Sequence, residues 1–174
     1  MSFIKIKDGK HRREQAKRFR AADNEAERRE QLVREFLKTD RYIHIAVDKV
    51  ISTSRAILVW RGDQDGKQLD LDLVDISNIV IKLQKKLISR FISIMVWLMG
   101  TDQDGKQLYL DLEDMFNIAK TLENKLLSTS ESMKDWITNQ DGKQLILDLE
   151  DTRNIVATLE NKIMDNIDVL TTKE

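Results

Sequence analysis

The stretch Asp65-Gly-Lys-Gln-Leu69 recurs at 104–108 and again at 141–145. Each copy runs on through Leu-x-Leu-Asp-Leu, ending at Leu73, Leu112 and Leu149, and then through an Asn-Ile pair at 78–79, 117–118 and 154–155. A lysine follows at Lys86, Lys125 and Lys162, and a tryptophan closes the unit at Trp60, Trp97 and Trp136. Asp104 lies 39 residues after Asp65, and Asp141 lies 37 after Asp104. Residues 49–163 are therefore read as three units, about 49–85, 86–124 and 125–163, and repetition at this period is the mark of a repeat architecture.

Asp-Gly is a tight-turn signal, because glycine supplies the positive φ that such turns use. Leu-x-Leu-x-Leu alternates with period two and reads as a short extended segment. Asp72, Asp111 and Asp148 then suit helix N-caps, and Asp75, Asp114 and Asp151 place negative charge at the positive end of a helix dipole. Apolar stripes follow at helical spacing: Ile76, Val80, Leu83, Leu87; Met115, Ala119, Leu122, Leu126; and Thr152, Val156, Leu159, Ile163. Ala56–Trp60 and Ile92–Trp97 fit either strand or helix. Ser128–Trp136 is too polar for a buried strand and carries a Ser128/Glu131 capping-box pattern, so all three are expected to be helical.

The fold class expected is mainly α: long amphipathic helices in three repeats joined by Asp-Gly turns, with short extended segments, as a helical bundle or a short solenoid. Residues 1–39 are expected to form a basic, exposed N-terminal helix or arm ending near Thr39-Asp40, with Asp40 capping the next helix. Residues 40–174 would form the repeat domain.

Composition narrows the function classes. The chain has 174 residues, 41% of them hydrophobic and 34% charged, with no proline and no cysteine. No cysteine leaves no disulfide framework and no thiolate nucleophile. The absence of an apolar leader or a span of ~20 apolar residues points to a soluble, intracellular protein. The net charge of −1 hides an asymmetry. Residues 1–41 carry thirteen Lys/Arg against eight Asp/Glu, and residues 42–174 carry sixteen against twenty-two.

Catalytic and metal chemistry find little purchase. Asp102-Gln-Asp104-Gly105 resembles part of a calcium loop, but with Gly105 at position 6 the first ligand position falls on Gly100 and the twelfth on Asp111 rather than a glutamate. Three equivalent aspartate pairs suit helix capping better than acid–base work, which needs two unlike environments. His11 and His44 are the only histidines and stand far apart in sequence. No enzyme, cofactor or metal ion is expected. The tryptophans are expected in the core.

Two features remain as candidate contacts. One is the basic arm, Lys5, Lys7, Lys10, Arg12, Arg13, Lys17, Arg18 and Arg20, which could meet phosphates, an acidic protein surface or only solvent. The other is a repeated surface: Lys67, Gln68, Lys106, Gln107, Lys143 and Gln144 after each Asp-Gly, with Asn117, Asn124, Asn154 and Asn161 on the outer helix faces. Duplication alone would also account for the latter.

The function expected is that of a non-enzymatic structural, assembly or adaptor protein acting through protein partners and self-association. The apolar Phe91–Met99 segment is the main reason for the last. The alternative is a nucleic-acid-binding accessory protein using the basic helix. A third reading, a small phage or mobile-element factor, rests only on the general look of the sequence.

Overall fold

A computed structural model describes the backbone of residues 10–62, 66–100, 105–135, 137 and 139–171, and side chains from Glu25 onward. Four helices account for nearly all of these: α1 Lys10–Arg61, α2 Lys67–Leu98, α3 Lys106–Lys134 and α4 Gln140–Thr171. Among the described residues there is no strand.

The helices form an up-down-up-down bundle, as short connections between long helices favour. Antiparallel register shows in the side-chain contacts. Lys86 of α2 reaches Asp111 of α3, while Lys125 of α3 reaches back to Asp72 of α2. Thr53 of α1 meets Thr152 of α4, and Thr39 meets Asn166 further along the same seam. Packing is continuous between α2 and α3, α3 and α4, and α4 and α1, and is loosest between α1 and α2. The bundle form, not the solenoid, is the one observed.

The expected stripes build the core. Ile76, Val80 and Leu83, Met115, Ala119, Leu122 and Leu126, and Thr152, Val156, Leu159 and Ile163 are all buried, and Leu87 is partly buried. From α1 come Leu32, Phe36, Ile43, Val47, Val50 and Ile57. Trp97 is buried and Trp60 packs against the core from its edge; Trp136 lies outside the described residues.

The extended Leu-x-Leu-x-Leu segments are not extended. All three lie within the first turns of α2, α3 and α4. The pattern satisfies a helix equally well, because its first and third leucines are four residues apart and share a face. Leu69 and Leu73, Leu108 and Leu112, and Leu145 and Leu149 point inward, while the middle Leu71, Leu110 and Leu147 are left exposed.

The capping assignments shift for the same reason. Asp72, Asp111 and Asp148 lie inside helices, more than a turn from the start. Gly66 and Gly105 occupy the N-cap positions of α2 and α3 without a side-chain cap, and Asn139 serves α4 by accepting from Gly142 N–H at 2.7 Å. Gly105 has the positive φ of 65° that the turn argument expects, Gly66 has φ −146°, and Gly142 is itself helical. Ser128 is no cap either: it lies within α3, and its hydroxyl donates to Lys125 O at 3.0 Å.

Nor does a helix end at Thr39-Asp40, since α1 passes straight through. Both residues read as stop signals are used sideways instead. Thr39 donates to Glu35 O at 2.9 Å, and Asp40 pairs with the buried Arg90 of α2. Helix α1 enters the bundle where Arg28 bonds to the Leu170 carbonyl of α4 and Arg29 to the Trp97 carbonyl of α2. Its backbone is helical back to Lys10.

Candidate interaction surfaces and the polar network behind them

Two of the three copies of the repeated aspartate, lysine and glutamine meet along the α2–α3 seam. Lys125 Nζ lies 2.9 Å from Asp72 Oδ1 and 3.1 Å from Asp75 Oδ2. Lys86 Nζ lies 3.4 Å from Asp111 Oδ1 and 3.0 Å from Asp114 Oδ2. The lysine of each helix thus answers the aspartate pair of the other. Asp72 and Asp111 are buried, so each needs a partner. The carboxylates hold both lysines above their ordinary pKa, chiefly through the hydrogen bonds to Asp72 and Asp114.

The repeated glutamines complete this network. Gln68, Gln107 and Gln144 donate to Asp72, Asp111 and Asp148 at 3.0, 3.3 and 3.2 Å, one helical turn along. Their identity in three copies therefore has a structural reason. Unit three departs at its lysine, where Lys162 sits 5.0 Å over the Tyr42 ring on α1.

Where α3 faces α4, Glu123 and Glu160 come together with Lys120 and Arg153. Lys120 Nζ lies 3.2 Å from Glu123 and 3.6 Å from Glu160, and Arg153 lies 3.8 Å from Glu123. Burial and the neighbouring Glu123 push the Glu160 carboxyl up to about 7, while its hydrogen bond lowers Glu123. Glu160 is therefore the member of the pair that keeps its proton to higher pH. Glu123 and Glu160 are equivalent positions of the Thr-Leu-Glu-Asn-Lys stretch shared at 121–125 and 158–162, whereas nothing in the sequence marks Arg90, whose guanidinium is wholly buried against Asp40 and 5.2 Å from the Phe36 ring. Burial lowers Arg90 to about 10, which leaves it charged at neutral pH.

The remaining candidate residues are scattered. Lys67, Lys106 and Lys143 are exposed near the helix starts. Asn117, Asn124, Asn154 and Asn161 are exposed on α3 and α4, and Asn124 lines a shallow depression of ≈ 500 Å³ against α2. Of the basic arm, Lys10, Arg12, Arg13, Lys17, Arg18 and Arg20 belong to the first part of α1, and Lys5 and Lys7 lie outside the described residues. Asp102 and Asp104, from the calcium-like loop, also lie outside them.

One surface stands apart from this polar exterior. The outer face of α2 exposes Ile88, Phe91, Ile92, Met95 and Met99, the segment singled out by its apolar sequence, and continues to Leu71 and Val74. Beside it a groove of ≈ 560 Å³ opens along the loose α1–α2 seam, floored by Val50, Leu73, Ile76 and Val80 and rimmed by Arg55, Asp70 and Gln84. No described helix is long and apolar enough to cross a membrane.

No protein-family model, curated protein or solved structure matches this chain.

Proposed function

We propose that the chain is a non-enzymatic assembly or adaptor protein that works by association with itself and with protein partners. In this reading the helices that carry the repeated sequence form the rigid body, with α2 and α3 tied together by the Asp–Lys–Gln network. The observation that carries the reading is the apolar outer face of α2: Ile88, Phe91, Ile92 and Met99 are each more than half exposed along one stretch of helix. A monomer gains nothing from such a face, and large contiguous apolar patches mark interaction sites. Two copies bearing different tags, expressed together, test it. Capture of one tag should bring down the other; consistent failure to co-purify contradicts the reading.

A second reading is favoured by the continuation of α1 back to Lys10, well ahead of its bonds to α4 and α2 at Arg28 and Arg29. Eight basic residues between Lys5 and Arg20, most of them on that helix, suit phosphate contacts of salt-dependent, sequence-independent affinity. Under this reading, binding of DNA or RNA at low salt should weaken steeply as salt rises and should vanish on deletion of residues 1–24. Binding that is absent at low salt, or unchanged by the deletion, removes it.

A further inference from the structure

The exposed apolar residues of α2 are not scattered. Starting at Leu71 they follow alternating steps of three and four, the spacing of a coiled-coil seam. One set of seam positions holds Val74, Ile81, Ile88 and Met95; the other holds Leu71, Asn78, Lys85, Ile92 and Met99. All nine are exposed. This seam lies on the helix face away from Leu69, Ile76, Leu83 and Arg90, so α2 carries two long stripes where a peripheral bundle helix needs one.

Two seam positions are apolar in every unit, Leu71 with Leu110 and Leu147 and Ile88 with Leu127 and Met164, but the rest of the second stripe is particular to α2. Val74 corresponds to Glu113 and Glu150, Ile81 to Lys120 and Ala157, Ile92 to Glu131 and Asp168, and Met95 to Lys134 and Thr171. The fold therefore accepts charged groups at these places on α3. The seam covers 29 residues from Leu71 to Met99, about 42 Å of helix. Its apolar members expose on the order of 700 Å², against the ~800 Å² per partner of a standard interface.

We propose that this seam docks against α2 of a second copy of the chain, in an isologous two-fold interface. The assignment rests on the assembly reading above. A three-four seam is met by a helix of the same period and comparable apolar length. The matching positions on α3 and α4 are largely polar, so α2 is the complementary face a second copy offers. Asn78 and Lys85 interrupt the seam at polar positions, a device that fixes register and limits oligomer number.

Val74→Glu, Ile81→Lys, Ile92→Glu and Met95→Lys together give α2 the outer face of α3. The wild type should sediment at twice the 20.3 kDa of one chain, and this variant at one chain with unchanged helical content. The chain has no cysteine, so single introduced ones report cleanly. Lys85→Cys, mid-seam, should form disulfide dimers at least ~10-fold faster than Asn161→Cys, the corresponding position on α4, because docking raises local concentration. If the four-fold variant unfolds, the cysteine pair alone decides. A wild type that self-associates while the folded four-fold variant does so equally, or equal cross-linking at 85 and 161, overturns the seam and leaves the assembly reading standing. A strictly monomeric wild type overturns both.

Discussion

Lys125 of α3 sits 2.9 Å from Asp72 of α2, and the same lysine one unit earlier, Lys86, bonds to the same aspartate one unit later, Asp111. The exchange follows from packing two helices of like sequence antiparallel. In each, the lysine stands 14 residues after the aspartate (86 − 72 and 125 − 111), so reversing one helix brings each lysine to the other's aspartate.

Breaking this exchange on one side should be costly. Lys125→Gln leaves the buried Asp72 without its cation, and we expect a loss of about 1–3 kcal/mol in urea unfolding. Asp72→Asn should cost a similar amount. The double variant should fall short of the sum by roughly 1 kcal/mol, since the second change removes a group already orphaned. Strict additivity would show that the two residues are not coupled.

Gly142→Ala should reverse the usual effect of replacing a helical glycine. Alanine in a helix normally gains about 1 kcal/mol. Here the added Cβ would lie 2.4 Å from Ile137 Cγ2 and 3.0 Å from Trp60 Cζ2. We expect a loss of roughly 1–3 kcal/mol from overpacking, read as a lower thermal midpoint. A raised midpoint would show that Ile137 and Trp60 give way freely.

The Glu123–Glu160 pair makes stability depend on pH. The folded Glu160 pKa of about 7 lies above its ordinary 4.5, so the folded state holds the proton longer than the unfolded chain. Its contribution is full below about 4.5 and is lost as pH rises through about 7. Glu160→Gln keeps a neutral donor at all pH values. It should therefore stabilise the protein relative to wild type at pH 8, by on the order of 1–2 kcal/mol, and by less at pH 5. Denaturant titrations at both pH values check this; an equal effect at the two would contradict the raised Glu160 pKa.

Deleting residues 1–24 should leave the bundle's stability nearly unchanged. Among the described side chains of α1, Leu32 is the first in the core, and Arg28 and Arg29 bond to α4 and α2. Thermal midpoints within a few degrees, at most ~1 kcal/mol apart, are expected. A large drop would mean that the arm folds back on the body.

Much of the helical core was legible because a period near 3.6 is a local property. Met115, Ala119, Leu122 and Leu126 could be assigned without knowing what they face. Leu-x-Leu-x-Leu misled because residues i and i+4 share a face in a helix and in a strand alike, and only Leu71, Leu110 and Leu147 tell the two apart by lying outside. Asp72 and Asp111 looked like caps because their true partners are distant in sequence and become neighbours only once the helices are laid antiparallel. The Gln68, Gln107 and Gln144 bonds could have been found, since four-residue spacing to an aspartate is a recognised helical pair. The second stripe on α2 was also present in the sequence, but Phe91–Met99 drew attention as a block rather than as a seam reaching back to Leu71.

The most direct test of the central claim, that this is an assembly protein, is the absolute mass of the full chain by light scattering at tens of micromolar. The account requires a multiple of the 20.3 kDa chain, with two copies expected. A mass of one chain, unchanged across the concentration range, contradicts it.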